Sequence, residues 1–189
     1  MGINRNNKKI ETWNNNFIKK TFINDSSLSF KNELKSIKLF SKNTWFPNIH
    51  EIGYNYIVYE KCNGVNLQDR FFSSFSKEGF NDITKKILLI LHQIYLMGYS
   101  HCDVNGSNFI YNKEKNKLYF FDFEYLQKQE ESFDFFSSYD IIGNKSKTLI
   151  PPKDYRGRNV HVYLTKHLRF CNGFKLNLEN LKKIWYEKI

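Results

Sequence analysis

Cysteine is scarce in this chain, and its spacing excludes two common kinds of stabilising site. The 189 residues include three cysteines, Cys62, Cys102 and Cys171. An odd count without a CxxC pair argues against both a disulfide framework and a zinc site. We therefore expect reduced thiols in a cytoplasmic protein, and we interpret Cys102 as a small apolar side chain rather than a nucleophile.

Glycine is nearly missing from the first quarter of the chain. Gly2 is the sole glycine before Gly53. This excludes from that region a GxGxxG loop, the kind of loop whose backbone N–H groups cover nucleotide phosphates. Three consecutive asparagines at 14–16 favour a turn instead, so one β-hairpin is predicted there.

Long hydrophobic runs are also missing. The most apolar segment, residues 83–99, is interrupted by His92 and Gln93. It falls short of the roughly 20 apolar residues that a membrane span needs, and it is predicted to form a buried helix. The sequence shows no charged-then-apolar segment typical of a signal peptide at its start, which favours a cytoplasmic location.

Acidic residues are outnumbered by basic ones. The chain has 29 Lys and Arg against 19 Asp and Glu, a formal net charge of +10, and 17% aromatic residues. Such a composition is typical of nucleic-acid-binding proteins, and that class stays open as an alternative. The charges are spread in isolated pairs without a dense basic arm, so a solvated surface that attracts anions such as ATP is favoured over a nucleic-acid site.

One dense group of polar residues stands out between positions 101 and 125. His101, Asp103 and Asn108 form the pattern HxDxxxxN, and a DFE sequence begins fourteen residues later at Asp122. Phosphoryl transfer needs an acid that meets the acceptor hydroxyl and oxygen ligands that hold Mg²⁺. Asp103 fits the first role, with His101 as a loop anchor, while Asn108 and Asp122 fit the second. Each residue alone could be an ordinary turn residue, but the ordered set favours a phosphotransfer site.

The residues between these acids predict a β-hairpin. Segments 109–112 and 117–123 are rich in β-branched and aromatic residues, and a polar turn at 113–116 separates them. The hairpin would place Asn108 at the start of one strand and Asp122 at the end of the other, so that the two ligands face each other.

The stretch resembles the catalytic and metal loops of the protein-kinase-like superfamily. Protein kinases carry HRDLxxxN and DFG, where this chain has HCDVNGSN and DFE, so Glu124 adds an acid beside the metal. DFEY followed by Phe133 and Asp134 is similar to the small-molecule branch, which includes choline and ethanolamine kinases and aminoglycoside phosphotransferases. In that branch the later Asp steadies the catalytic loop, which implies a supporting role for Asp134, with a helix N-cap as the alternative.

The resemblance extends to the expected nucleotide site. Segment 57–67 resembles the hinge between kinase lobes, which implies that backbone groups of Glu60 and Cys62 bond the adenine edge; a hairpin start is the alternative reading. Strand 17–22 resembles the end of the strand that supplies a phosphate-binding lysine.

The phosphate-binding lysine and its partner are assigned by the same resemblance. Lys19 is the preferred residue, Lys20 is the runner-up, and Glu33 on a helix predicted at 30–40 is the ion-pair partner. Adjacent strand residues point to opposite faces, so only one of the two lysines can reach the nucleotide. A solvated surface charge is the alternative for either.

The C-terminal part is less informative. Residues 141–164 combine Gly, Pro and polar residues and predict a long loop, in the region where kinase-like proteins bind the acceptor. Arg156 and Arg158 are the candidates for contacting an anionic substrate, with exposed arginines of no special role as the alternative. Residues 177–187 predict a final amphipathic helix.

Together these patterns predict an α+β, two-lobe protein-kinase-like fold, with a reduced N-lobe sheet at 1–62 and a mainly helical C-lobe at 63–189. The expected activity is an ATP- and Mg²⁺-dependent phosphotransferase that acts on the hydroxyl of a small alcohol or sugar. A compact atypical protein Ser/Thr kinase, a pseudokinase or nucleotide-binding interaction module, and a basic nucleic-acid-binding protein are the alternatives. The sequence specifies neither the acceptor nor the oligomeric state.

Overall fold

The N-terminal part of the protein is an antiparallel sheet packed against one helix. A computed structural model describes residues 8–67, 76–101, 103–104 and 106–128. The sheet contains β1 (Lys8–Thr12), β2 (Phe17–Phe22), β3 (Ile49–Ile52) and β4 (Tyr56–Glu60), in the order β1-β2-β4-β3. Helix α1 (Leu28–Phe40) lies in the sequence between β2 and β3.

The predicted turn at 14–16 joins β1 to β2. Asn14 has a φ of 87°, a left-handed conformation that Asn tolerates better than most residues. Its side-chain oxygen accepts a hydrogen bond of 2.9 Å from the Asn16 N–H, which closes the turn. The hairpin prediction is confirmed, and β2 has the predicted bounds.

Helix α1 begins at a side-chain cap and turns one face inward. The Ser27 hydroxyl accepts from the Phe30 N–H, which satisfies one of the unpaired donors of the first turn. Phe30, Glu33 and Phe40 are buried on this helix. Glu33 therefore occupies a core-facing position, where a carboxylate is costly unless it has a partner.

The second part of the protein consists of a long helix and short strands. These elements are α2 (Lys77–Leu96), β5 (Val65–Asn66), β6 (Tyr99–Ser100), β7 (Phe109–Asn112), β8 (Lys117–Phe120) and β9 (Gln127–Lys128). Strands β5, β7 and β8 form one small sheet, and β6 pairs with β9. The predicted hairpin is confirmed as β7 and β8, except that β8 ends before Phe121. Residues 121–124 are thereby released from the sheet.

Helix α2 leads through β6 into the segment that begins at His101. It begins earlier than predicted, at Lys77, because the Ser76 hydroxyl caps it by accepting from the Gly79 N–H. Its apolar residues Ile83, Ile87 and Ile94 are at most 1% exposed, as expected for a core helix. Within the described ranges, neither helix is long and apolar enough to cross a bilayer.

An aromatic cluster joins the two parts. Phe123, in the segment after β8, has its ring centroid 5.3 Å from Phe40, 6.1 Å from Trp45 and 5.6 Å from Phe46. The Phe120 N–H also donates to the Trp45 carbonyl at 3.1 Å. Aromatic side chains contribute large buried areas, so this cluster fixes the segment after β8 against the end of α1.

Several predictions fall on residues outside the described ranges. They concern the long loop at 141–164, the helix at 177–187, and the site residues Asp134, Arg156 and Arg158. The mainly helical character of the C-lobe lies largely there as well. The lobe boundary between residues 62 and 63 stays a prediction.

Candidate functional site

Lys20 lies at the centre of a buried ion cluster. Its ammonium group contacts Glu33 Oε1 on α1 and Asp122 Oδ1 in the segment after β8. The side chains of Lys20 and Glu33 are 7% and 1% exposed. Three separate elements thus place charges at one point, where the low polarity of the surroundings strengthens their attraction.

The expected pair between Lys19 and Glu33 is wrong, because Lys19 lies on the other face of β2. Its ammonium group stands 3.8 Å from the ring centroid of Tyr56 and 4.9 Å from that of Trp13. Adjacent residues of a strand point to opposite faces, and the resemblance to the kinase motif identified the strand without showing which of its two lysines faces the pocket. One signal could have found the right residue: Lys20 alternates with Ile18 and Phe22, the more apolar face of the strand.

Charges inside the cluster shift the pKa values of its members. Burial alone would raise the pKa of Asp122, but Lys20 and Lys8 outweigh it and hold this pKa well below its ordinary value. Burial likewise opposes the charged form of Lys20, yet Asp122 and Glu33 raise the pKa of Lys20 above its usual range. Asp122 and Lys20 therefore remain charged at neutral pH.

Tyr59 supports the ion cluster from β4. Its hydroxyl donates to Glu33 Oε2 at 3.0 Å. Burial and the neighbouring Glu33 carboxyl raise the pKa of Tyr59 well above its ordinary value, so the hydroxyl keeps its proton. No local pattern in the sequence predicts this role.

Asn108 fixes the orientation of Asp103. The Asn108 side-chain N–H group donates to the Asp103 backbone carbonyl at 2.9 Å and to Asp103 Oδ2 at 3.1 Å. The amide oxygen accepts from the Ser107 hydroxyl at 3.3 Å. The amide nitrogen is thus committed to Asp103, and the amide oxygen is the atom that can serve a metal.

His101 joins the catalytic loop to the segment after β8. Its Nδ1 accepts from the Asp103 N–H at 3.2 Å, so Nε2 carries the hydrogen and donates to the Phe121 carbonyl at 3.1 Å. The ring stacks on Phe120 with centroids 4.1 Å apart. Burial lowers the pKa of His101 to about 4, so the ring is neutral at pH 7 and acts as an anchor, the role predicted from its position.

Phe121 places Asp122 beside Asn108. The Phe121 N–H donates to the Asn108 carbonyl at 3.1 Å, and its own carbonyl accepts from His101. Both backbone groups of one residue are therefore tied to the catalytic loop. Asp122 follows with a φ of 68°, a conformation that is uncommon outside glycine and that often marks functional sites.

Glu124 belongs to the same charged group, and sequence reasoning missed its partner. Lys8 Nζ lies 2.9 Å from Glu124 Oε1 and 2.9 Å from both carboxylate oxygens of Asp122. Asn32 on α1 donates to the Glu124 carbonyl at 2.8 Å. In the sequence, Lys8 is distinguished only by its position on the strand before the turn at Asn14, which does not reveal its partners.

The two residues predicted to bond an adenine edge line the same pocket as the ion cluster. Glu60 and Cys62 share a pocket with Lys20, Glu33 and Asp122. The rest of its wall is mostly apolar and consists of Ile10, Ile18, Pro47, Tyr59, Ile110 and Phe121. A pocket with apolar walls and a few charged groups suits a ligand with a flat apolar part and an anionic part.

Backbone hydrogen bonds limit which hinge groups can bind a ligand. The N–H groups of Glu60 and Lys61 donate to the carbonyls of Asn48 and Asn16 at 2.9 and 2.8 Å. The Glu60 carbonyl accepts a weak hydrogen bond from the Cys62 thiol at 3.8 Å. Burial raises the pKa of the Cys62 thiol to about 12, so this cysteine is unreactive at neutral pH.

The oxygen donors present fit Mg²⁺ better than a transition metal. Asp122 and Glu124 supply carboxylates and Asn108 an amide oxygen, which are hard ligands. Among the residues that the structure describes, no three His, Cys, Asp or Glu side chains cluster as a metal cage. A magnesium site that uses few protein ligands and the phosphates of a nucleotide agrees with both observations.

Comparison with known proteins supports the kinase-like fold. The structure of the Cydia pomonella granulovirus kinase PK-1 matches 62% of this chain with a TM-score of 0.50 and 18% identity. The match spans 46% of that kinase, so this chain corresponds to less than half of its length. Altogether 1243 chains of solved structures match. This number shows that the fold is common, and it does not identify a substrate. No curated protein sequence matches.

One protein family matches most of the site. Residues 25–137 match the family described as the ABC1 atypical kinase-like domain. This range includes Glu33, His101, Asp103, Asn108 and Asp122. It confirms the expected protein-kinase-like superfamily, whereas the choline-kinase branch remains a prediction. Because the match spans more than half of the sequence, the chain belongs to the ABC1 atypical kinase-like domain family.

Proposed function

We propose that the protein is a kinase that transfers the γ-phosphate of ATP to a hydroxyl group. The observation that carries this proposal is that two groups of functional side chains are joined through one backbone segment. The Lys20, Glu33 and Asp122 cluster lies beside the Asp103 and Asn108 pair, linked through the backbone of Phe121. Phosphoryl transfer depends mainly on positioning and charge neutralisation, which such an arrangement supplies.

Lys20, rather than Lys19, is the proposed phosphate ligand. Its ammonium group is held by Glu33 and Asp122 and faces the pocket. Asp122 and Asn108 would hold Mg²⁺, with Glu124 as a further acid. These oxygen ligands would hold a cation whose charge offsets that of the phosphates.

Asp103 is the proposed catalytic base. Its carboxylate is oriented by Asn108 and its backbone by His101, so little reorganisation is needed when an acceptor hydroxyl approaches. His101 would act as a positioning residue. Its neutral ring holds the loop through two hydrogen bonds and supplies no proton at neutral pH.

The apolar wall of the pocket is the proposed adenine site. Ile10 is 58% exposed although it lines this pocket, and a stacked base would cover it. The Glu60 carbonyl and the Cys62 N–H would bond the base edge. Glu60 is the last residue of β4 and Cys62 follows it closely, and both line the same pocket as the ion cluster.

For the acceptor, we propose a small alcohol or a sugar, because DFEY resembles the choline-kinase branch. A compact atypical protein kinase fits the family equally well. Arg156 and Arg158 are proposed substrate contacts and Asp134 a proposed loop support; all three lie outside the described residues.

Transfer of radiolabelled phosphate from ATP tests the proposal. The acceptor panel is choline, ethanolamine, simple sugars, aminoglycosides and a generic protein substrate. We expect one class to be labelled, and we expect Asp103→Asn to slow labelling by roughly 10²–10⁴-fold, the usual contribution of a general base. Lys19→Met serves as the control, because that side chain lies on the opposite face of β2.

Two results would contradict this proposal. If Asp103→Asn labels an acceptor as fast as the wild type, the base assignment is wrong. If ATP binds but none of the acceptors is labelled, the chain is a pseudokinase or nucleotide-binding module, a candidate that the Lys8 contact to Asp122 favours because it engages the presumed metal ligand.

A further inference from the structure

We propose that Lys8 is an internal counterion that takes the place of a divalent cation at the acids of the DFE segment, so that a metal must displace it. This inference rests on the proposed function, because it concerns the same site. It adds a residue that neither the motif nor the family match includes, since the matched range begins at residue 25.

The contacts of Lys8 resemble those of a bound cation. Its Nζ lies 2.9 Å from Oδ1 and Oδ2 of Asp122 and 2.9 Å from Oε1 of Glu124. The side chain of Lys8 is 7% exposed and that of Glu124 is 6% exposed. Asp122 is 18% exposed, so three carboxylate oxygens from two residues converge on one positive group in a largely buried position.

The net charge of the cluster depends on Lys8. The ammonium groups of Lys8 and Lys20 face the carboxylates of Glu33, Asp122 and Glu124, which leaves one uncompensated negative charge. Without Lys8 the excess is two negative charges, which matches one divalent cation. Burial makes such an excess costly, so either the lysine or a metal must be present.

Lys8 can leave the cluster more easily than Lys20. Lys20 is held by α1 through Glu33 as well as by Asp122. Lys8 is the first residue of β1, and among the described residues its ammonium group contacts the two acids of the DFE segment. Withdrawal of Lys8 therefore leaves the pair between Lys20 and Glu33 intact.

Binding of Mn²⁺ to the Lys8→Met variant tests this inference. Electron paramagnetic resonance of Mn²⁺ without nucleotide gives the Kd directly. We expect a Kd roughly tenfold lower than that of the wild type, because the metal no longer competes with an internal charge. Lys9→Met is the matched control: it removes the same charge one residue away, from a side chain that is 71% exposed and paired with Glu11. An unchanged or weaker Kd in Lys8→Met overturns the inference.

Thermal unfolding gives a second readout, which can be interpreted even if the metal-free Lys8→Met variant is unstable. In EDTA, Lys8→Met should melt at a lower temperature than the wild type, and saturating Mn²⁺ should raise its Tm by more than it raises that of the wild type. A variant that folds only with Mn²⁺ supports the inference as well. A variant that stays unfolded at every Mn²⁺ concentration overturns it, since the metal then cannot replace the lysine.

A third arm with Mn²⁺ and ADP separates this inference from the proposed function. If both proteins bind Mn²⁺–ADP but Lys8→Met gains no affinity for Mn²⁺, the inference fails and the kinase proposal stands. If neither protein binds Mn²⁺ with or without ADP, the metal site itself is wrong and both proposals fail.

Discussion

At the scale of single residues, two adjacent lysines of β2 lie in different surroundings. Lys20 is enclosed by Glu33 and Asp122, whereas Lys19 lies over the rings of Trp13 and Tyr56. The two positions carry the same charge and differ only in the face of the strand. They form a natural pair for measuring what the buried ion cluster contributes.

We expect Lys20→Met to destabilise the fold by about 3–5 kcal/mol, because it leaves the buried Glu33 carboxylate without its cation and removes one of the two cations beside Asp122. Lys19→Met should cost about 0.5–1 kcal/mol, the value of a partly exposed cation–π contact. Urea unfolding of both variants measures the difference. Equal losses for the two variants would show that the buried cluster does not stabilise the protein.

His101 gives the fold a dependence on pH. Its pKa is lowered by burial from 6.5 to about 4, so between these values the unfolded chain takes up a proton and the folded chain does not. Stability from this group is therefore complete above pH 6.5 and is lost as the pH falls towards 4. A shift of this size corresponds to about 3 kcal/mol.

We expect His101→Gln to be less stable than the wild type at pH 7 and to approach it as the pH is lowered to about 4, since Gln does not titrate. Urea midpoints at several pH values measure the difference, and His50→Gln is the control for a histidine exposed on β3. A gap between His101→Gln and wild type that stays constant with pH would contradict this assignment.

At the scale of elements, the hairpin of β7 and β8 determines where the acids lie. Its strands and turn were predictable, since alternating apolar residues flank a polar turn that ends at Asn116 with a φ of 47°. The end of β8 was not, because the Phe121 N–H still bonds the Asn108 carbonyl next to the ladder, whereas the Phe121 carbonyl bonds the His101 ring instead. Tertiary hydrogen bonds, which have no local signal, decided that boundary.

The same hairpin presses closely on the loop that follows the hinge. A Cβ added at Gly64 would lie 2.5 Å from the Tyr111 carbonyl oxygen and 2.8 Å from Ile110 Cγ2. The backbone of β7 cannot yield without breaking its pairing with β5 and β8. Glycine at this position therefore permits the close approach of two chain segments.

We expect Gly64→Ala to cost about 1–3 kcal/mol through this overlap. Gly98→Ala is the comparison, because its φ of 78° is also unfavourable for alanine but no atom lies within 4 Å of the added carbon. Gly98→Ala should cost only about 1 kcal/mol of backbone strain. Chemical denaturation measures both, and a larger loss for Gly98→Ala would contradict the predicted overlap.

At the scale of the whole molecule, the site joins segments that are far apart in the sequence. Lys8, Lys20 and Glu33 come from the N-terminal sheet and α1, whereas Asp122 and Glu124 follow β8. A ligand bound there contacts both parts and should stabilise them together. Binding to the folded state alone raises the free energy of unfolding by mass action.

We expect Mg²⁺–ATP at about 100 times its Kd to stabilise the protein by about 2.7 kcal/mol, with a rise in Tm of several degrees. EDTA should remove most of the gain, and Asp122→Asn should abolish it. Differential scanning fluorimetry measures these shifts, with Asp25→Asn as a control for an acid outside the pocket. A full Tm gain in Asp122→Asn would remove Asp122 from the metal site.

Sequence reasoning reached the superfamily but not all of the geometry. The spacing of His101, Asp103, Asn108 and Asp122 predicted residues that the structure brings together, because the loop and hairpin between them are local. Lys20 and Lys8 depend on strand facing and on distant partners. These are tertiary properties, and the charge of a lysine does not reveal its neighbours.

The packing of Phe123 against Trp45 has an optical consequence. The indole ring of Trp45 is 6% exposed, and its nearest aromatic partners include the central residue of the DFE segment. Any displacement of Phe123 changes the surroundings of this fluorophore and thus its emission. With Trp13 and Trp185 replaced by Phe, the protein would contain a single tryptophan, whose emission follows the DFE segment in solution.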